Sequence, residues 1–507
     1  MAIFLVYTPK DTVDAAKISF SKLGGKDNRC GACLKRPAIH DFRRHRSLRQ
    51  VIRLHCCGGG TAGCPLAATL SERFSVLLVE RGGLPYGNVF ITNKGVPNHR
   101  GRVLGGSSAI NFGFYSRASD DFVTRAGWNK KLVKEAYEWV ESRIVSIPNK
   151  LTKFQCALKL GLLEAGVLPY NGFSWEHIEG TKIGGSLFDN CGERHTAADL
   201  LQSGNPDNIM VLLNATAKSK GNESIVNGIR FIESGGSPNQ TYEAYLKHPT
   251  NSGKQGDVIL SAGTLGSPQI LMLSGIGPKS HLKNFGIPLV LDLEGVGQEM
   301  QDNPAIVTSA TTRYQFSNTL QVAGVAEDFR FLYEGIIVPT SFNASAIVIA
   351  GKIAVPESRG KLELNNTDPR QNPLVEFNYL ESEKDLEECV EMVRLLEKIA
   401  RSKPITCFMS TQPQFNFYSG PRDLGNFCIE NARTIYHYHG GCAVGSVVDK
   451  DYKVYGIKGL RIIDSSAFLE SPGTNPAATV LMLGRYQGIK ILEERESASA
   501  LGTQPYP

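Results

Sequence analysis

Residues 51–83 read VIRLHCCGGGTAGCPLAATLSERFSVLLVERGG, and this stretch decides the fold. It has the order strand, glycine turn, helix, second strand, acidic residue. Gly58, Gly60 and Gly63 supply a G-x-G-x-x-G spacing. The first glycine permits a sharp turn, the second lets backbone N–H groups approach a pyrophosphate, and the third lets the helix pack close to the strand. The helix expected over residues 62–71 points its positive end at such a phosphate. Residues 74–79 (FSVLLV) form a short apolar run expected as a buried strand. Glu80 follows at the position where a carboxylate takes the hydroxyls of an adenosine ribose. A glycine-rich turn in another α/β protein would share the glycines. The second strand and the acid in register favour a dinucleotide site.

Working outward, 507 residues are more than one ordinary core holds, so two closely joined domains are expected. The net charge of +6 is local. Residues 30–55 carry Lys35, Arg36, Arg43, Arg44, Arg46, Arg49 and Arg53 against Asp41 alone, so the body of the chain is neutral. No nucleic-acid footprint is present in that balance. No membrane span is expected either, because the longest uncharged run, residues 258–278, is broken by glycines and prolines. The opening MAIFLVYTPK is too short in its apolar run for a signal peptide and lacks a basic leader. Five N-x-S/T triplets, at Asn214, Asn222, Asn239, Asn343 and Asn365, lean instead toward a secretory, glycosylated protein.

Residues 1–50 are read as an atypical basic segment outside any domain. Cys30, Cys33, His40 and His45 lie too close together for the usual zinc spacing, so no metal site is expected. Arg53 and His55 fall inside the expected first strand, where a central parallel strand is normally apolar. A second glycine-rich segment, GRVLGGSSAIN at residues 101–111, would let backbone lie against a flat ring system. Residues 120–165 have helical periodicity, with Trp128, Leu132, Ala136, Trp139 and Val140 as a packed face. Residues 257–277 read as a further strand, glycine turn and helix of the same sheet. Residues 286–345 alternate short β-like runs with turns, and residues 385–401 form an amphipathic helix. Near the C-terminus, TIYHYHGGCAVG holds His437 and His439. Asn475 and Pro476 are expected as N-cap and first position of a helix whose positive end would face an electron-accepting ring.

With these motifs in order, the chain resembles the glucose–methanol–choline (GMC) flavoprotein oxidoreductases over roughly residues 56–495. GGGTAG with Glu80 is similar to the family's FAD turn, GRVLGGSSAIN to its first signature, and GTLGSPQILMLSGIG (263–277) to its second. HTAADLL, YHYHGGC and LMLGRY look most like the plant mandelonitrile lyases and their long-chain hydroxy-acid dehydrogenase relatives. The resemblance implies an α/β fold with a Rossmann-like FAD-binding domain and a substrate domain built on an antiparallel or mixed sheet covered by helices. The first would take residues 51–120, 195–285 and 430–495, the second 121–194 and 286–429, with 496–507 as a tail.

Carried over by position, Gly58, Gly60, Thr61, Ala62, Gly63, Glu80 and Arg81 would hold the adenosine half of FAD, and Ala217 its adenine. Val103, Ser107, Asn111, Phe112, Gly113 and Phe114 would lie along the flavin, with Asp464, Ser465, Asn475 and Pro476 closing over the ring and Tyr436 also among the cofactor-binding residues. His437 and Asn475 would be the catalytic pair, and His439 structural. The resemblance also implies a disulfide between Cys389 and Cys428 and a monomer acting on a small alcohol or cyanohydrin. Three departures stand out: the polar first strand, a shortened segment at residues 93–95, and KSKGNES after Ala217, where relatives complete a strand.

Three functions are therefore weighed. In an FAD-dependent alcohol dehydrogenase or oxidase, His437 takes the hydroxyl proton while the carbinol hydride passes to flavin N5. In a cyanohydrin lyase the flavin stays redox-inert. Those lyases place a second histidine where this chain has Asn475, and an amide does not titrate, so oxidation ranks first. The third is an inactive relative with impaired FAD binding, suggested by the departures.

Overall fold

Two sheets of opposite character organise the chain. The computed structural model describes residues 38–41, 53–85, 100–218, 225–237, 240–246, 256–314, 320–341, 344–411 and 421–501. The first sheet is wholly parallel, with six strands in the order Ala38–Asp41, Ile209–Leu213, Val76–Val79, Leu54–Cys57, Asp257–Leu260, Leu460–Ile462. The strands Leu54–Cys57, Val76–Val79 and Asp257–Leu260 are buried along their whole length, as central parallel strands are. The Gly63–Leu70 helix packs on one face, and the long Ala477–Leu501 helix packs against it and against Lys130–Ile144.

Several expectations shift here. Residues 38–41, read from sequence as lying outside any domain, form the edge strand of this sheet, in parallel register with residues 210–213. The final helix runs to Leu501, into the segment read as a tail. The first strand begins only at Leu54. Arg53 sits exposed just before it with its guanidinium over the Phe74 ring, so the strand does not carry that charge. His55 is inside the strand, fully buried, and neither ring nitrogen has a hydrogen-bond partner. Burial lowers its pKa to about 4, so it packs as a neutral ring. The strand carrying Ala217, Ala215–Lys218, is present and joins Gly228–Glu233 and Thr241–Tyr245 in a three-stranded antiparallel sheet. Residues 93–95 and 219–224 lie outside the described residues.

The second large sheet is mixed. Its order is Ala305–Thr312, Ala344–Ile353, Phe331–Ser341, Val322–Ala326, Gly180–Ile183, Tyr170–Phe173, antiparallel except for the last pair. One face is covered by the helices Lys153–Glu164 and Glu383–Arg401, which form a second core with it. The Glu383–Arg401 helix buries Cys389, Met392, Val393, Leu396 and Ile399, the stripe its periodicity sets. Cys389 is bonded to Cys428 on the Pro421–Asn431 helix, with Cα atoms 6.2 Å apart. The opposite face of this sheet looks toward the C-terminal loops of the parallel sheet.

Candidate active site

The cradle at the end of the parallel sheet is made chiefly of backbone. Gly58 turns with φ +120° at the end of its strand. A Cβ on Gly63 would lie 1.9 Å from the Gly58 carbonyl oxygen, so only glycine allows the helix to start so close to the strand. No side chain caps that helix. The Cys64 N–H is held by the Gly60 carbonyl at 3.1 Å and Pro65 has none, so among its first donors the N–H groups of Ala62 and Gly63 are left to a ligand. A Cβ on Gly60 would point into open space whose nearest atoms, Gly106 Cα and Ser261 O, are 3.8 and 3.9 Å away. The two glycine turns are packed directly on one another: the Gly105 N–H donates to the Gly59 carbonyl at 2.7 Å, and a Cβ on Gly106 would lie 2.8 Å from Gly60 Cα. Glu80, buried at the rim of the cradle, accepts hydrogen bonds from the N–H groups of Gly59 (2.9 Å) and Gly82 (2.8 Å). Burial raises its carboxyl above the usual range, while those amides, Arg81 and Arg102 pull it back. Thr61 and Ala62 stand at the turn, and Arg81 lies half-buried beside Glu80. Ala217 lies on its strand opposite Phe231.

The second glycine segment continues the cradle. Val103 is buried and bridges to Gly83, and Ser107 Oγ accepts from the Gly101 N–H at 3.2 Å. Asn111 Oδ1 accepts from the Gly113 N–H (3.1 Å) and from Arg194 (3.0 Å), which fixes the turn that leads to buried Phe114. Phe112 is 49% exposed. Asp464 is buried and ties the second signature to the last strand, accepting from Gly263 N–H (2.9 Å), Ser267 Oγ–H (2.5 Å) and Ser466 N–H (2.8 Å). Ser465 Oγ shares a hydrogen bond with Thr264 Oγ1 at 2.7 Å.

His437 and Asn475 are brought together by residues the motifs did not flag. Lys352, 1% exposed, places Nζ 3.2 Å from His437 Nδ1 and donates to the Thr474 carbonyl at 3.0 Å. Asn475 Nδ2 donates to Glu334 Oε2 at 3.3 Å. Lys352 and Glu334 come from adjacent strands of the mixed sheet, where Glu334 pairs with Ala350 and with Ala323, and Ala323 with Lys182. Cross-strand partners and i, i+2 neighbours share a face, so Lys182, Glu334 and Lys352 all point to the side opposite the helices. The backbone N–H of His437 donates to Asp302 Oδ1 at 3.0 Å, and Tyr379 donates to its Oδ2 at 2.6 Å. His439 is buried, its ring nitrogens 3.1 Å from the His437 carbonyl and 2.9 Å from Gln301 Oε1, so it supports the loop. Tyr436 is exposed with φ +67° and meets Tyr438 edge-on.

One expectation is corrected here. Asn475 does not cap the last helix: its Nδ2 is turned to Glu334, and its buried Oδ1 has no partner. Pro476 instead supplies the carbonyl that accepts the first bond of the helix, from Val480. His437 is not near an ordinary imidazole pKa. Burial, then Lys352, then His439 hold it well below that range.

Family models described as GMC oxidoreductase match residues 56–305 and 356–484. The chain is a GMC oxidoreductase. It is 44% identical to an (R)-mandelonitrile lyase-like protein of Arabidopsis thaliana, over 86% of this chain and 89% of that one. It is also 38% identical to a sinalpyl alcohol oxidase of Nesocodon mauritianus, over 86% of this chain and 88% of the other. Pyridoxine 4-oxidase from Mesorbium loti shares the fold, with a TM-score of 0.76 at 18% identity, covering 87% of this chain and 99% of that one. FAD is the cofactor of this GMC chain, and the uncapped helix, the open Gly60 and the rim carboxylate suit its pyrophosphate and ribose. No helix among the described residues is long and apolar enough to cross a membrane.

Glu334, Lys352 and Asp302 are the site residues that motif reading missed. For Glu334 and Lys352 the one sequence signal is a charge set within an apolar strand, FLYEGIIVPTS and ASAIVIAGKI; Asp302, in a loop, has no such signal. That signal marks a buried polar position without saying what it faces.

Proposed function

We propose that this GMC oxidoreductase oxidises the CH–OH group of a small alcohol, with His437 taking the hydroxyl proton and Asn475 orienting the oxygen. When bound, FAD supplies the acceptor for the carbinol hydride. In this reading residues 51–120, 195–285 and 430–495, extended by the edge strand 38–41 and by the last helix to Leu501, form the cofactor domain, and residues 121–194 and 286–429 the substrate domain.

One observation carries the reading. The site pairs the His437 imidazole with an amide whose buried Oδ1 lacks a partner. An amide can hold a hydroxyl in place by accepting or donating a hydrogen bond, but it cannot exchange a proton near neutral pH. His437 Nε2 makes no hydrogen bond among the described residues, whereas its Nδ1 and backbone are both held. That nitrogen is therefore the group available to a substrate proton. The alcohol oxidase among the relatives supports this choice, and the lyase-like relative keeps cyanohydrin cleavage as the alternative.

The test mixes the purified flavoprotein anaerobically with aliphatic and aromatic alcohols and, separately, with mandelonitrile. Bleaching of the flavin or reduction of an electron-accepting dye by an alcohol is expected. Release of benzaldehyde from mandelonitrile, with no alcohol reducing the flavin, would overturn the assignment in favour of the lyase.

A further inference from the structure

We infer that Lys352 is a positioning residue that decides which nitrogen of His437 carries the proton, and that it receives the proton His437 passes on. The inference rests on His437 being the base of alcohol oxidation, as proposed above, and adds the route by which that base works.

Hydrogen-bond direction between the two side chains gives the argument. An ammonium has three donors and no acceptor. While Lys352 is charged, its contact with His437 Nδ1 at 3.2 Å has one sense: Nζ donates and Nδ1 accepts. The neutral imidazole then keeps its proton on Nε2, the nitrogen open to substrate. In that state Nε2 can donate to an oxygen but has no lone pair with which to take a proton. Once Lys352 is neutral, its lone pair can accept from Nδ1–H, and Nε2 becomes the acceptor. Thr474 O, 3.0 Å away, accepts a hydrogen bond from Nζ in either state and holds the amine in place.

The proton inventory of the step balances. The alcohol O–H proton moves to Nε2 as the Nδ1 proton moves to Lys352 Nζ. The imidazole ends neutral in its other tautomer, and the amine ends as an ammonium. The carbinol hydrogen leaves with its electron pair to the oxidised flavin, and a carbonyl product remains. No imidazolium is formed, which suits a ring whose charged form is so disfavoured by burial and by Lys352.

The surroundings of Lys352 fit a lysine that titrates. Burial lowers its pKa, with Glu334 and then Asp302 opposing that effect. Glu334 is itself raised by burial and lowered by Lys352. The other titratable or charged groups around Lys352 are His437 and His439 on the C-terminal loop, Lys182, and His177, which burial, then Lys182 and Lys352, hold low. Glu334 Oε1 is buried without a partner, so this carboxylate has capacity in hand for the ammonium. Glu334 thus joins the two halves of the site, setting the charge on Lys352 with one interaction and holding Asn475 with another.

The inference is tested on the full-length holoenzyme by two readouts. With ¹⁵N-labelled histidine, the His437 ring signals, assigned by their loss in His437→Gln, are followed against pH without substrate. An Nε2–H tautomer at low pH giving way to Nδ1–H at higher pH is expected. In Glu334→Gln the transition should move to lower pH by about one unit or more, because the charge favouring the ammonium is gone. The rate of anaerobic flavin reduction by alcohol should rise through the same pH, and shift with it. Lys352→Met should abolish both transitions and lower the rate by roughly 10²-fold or more. Should Lys352→Met fail to fold, Glu334→Gln alone decides. A His437 tautomer that is constant with pH, or a transition unmoved by Glu334→Gln, overturns the relay. If no alcohol reduces the flavin while the tautomer still switches, the failure lies in the proposed reaction and not in the Lys352 assignment.

Discussion

The cofactor cradle and the reaction face lie side by side and are built from opposite materials. The cradle is made of glycine backbone, helix N–H groups and one carboxylate, all within 23 residues and the neighbouring glycine segment. The reaction face is made of side chains from two sheet strands, a loop and a helix start, spaced over more than 140 residues. A backbone site tolerates few alternatives where the chain approaches itself, because at Gly58 and Gly63 an added Cβ has nowhere to go. A side-chain site can be altered without moving the chain, so its chemistry is separable from its fold. That difference predicts which variants lose the cofactor and which lose only the reaction.

The largest effect is expected from Gly63→Ala. The added Cβ would stand 1.9 Å from the Gly58 carbonyl, so strand and helix must part. Purified variant should carry no flavin absorbance and unfold at lower temperature. Retention of full flavin content would show that the cradle does not depend on that close approach.

His437→Ala should do the reverse. Flavin content and spectrum stay near those of the parent, while flavin reduction by alcohol falls by about 10²–10⁴-fold. Stopped-flow reduction under anaerobic conditions measures it, and a native rate would remove His437 from the role of base.

Away from both regions, replacing Cys389 and Cys428 together by serine should cost roughly 3–4 kcal/mol of stability, since the bridge closes a loop with a sequence separation of 39. Denaturant unfolding of variant and parent checks this. A flavin reduction rate that fell with stability would mean that the second core and the reaction face are not separable.

His55 gives a pH-dependent effect of similar or smaller size. Burial depresses its folded pKa to about 4, below the 6.5 of a free imidazole, so its neutral form fits the fold. The unfolded chain binds the proton first as pH falls, so stability is intact above about 6.5 and declines toward pH 4, by roughly 3 kcal/mol in all. In His55→Leu that part of the decline should vanish, read as the difference between the two unfolding-versus-pH curves. Parallel curves would mean that the ring finds a partner when charged.

The smallest stability effect is expected from Asn475→His, because the asparagine side chain caps no helix. Its value is in the activity ratio. Two imidazoles at the site should raise cyanohydrin cleavage relative to alcohol oxidation, measured as benzaldehyde release against dye reduction.

By itself, the sequence determined the parallel sheet's core, the glycine cradle, the stripe of the Glu383–Arg401 helix and the positions of His437 and Asn475. These are local properties. Glycine spacing, apolar periodicity and a strand–turn–helix order all express themselves within a few turns of chain, where sequence distance and spatial distance agree. Only the tertiary structure decided that residues 38–41 close the sheet edge, since a four-residue edge strand draws its stability from its neighbour and not from its own pattern. It also decided that Asn475 turns to Glu334 instead of capping a helix, and that Lys352 stands against His437. A buried charge in an apolar strand declares in sequence that it must have partners. Which partners it meets depends on how two sheets face each other, and no local pattern encodes that.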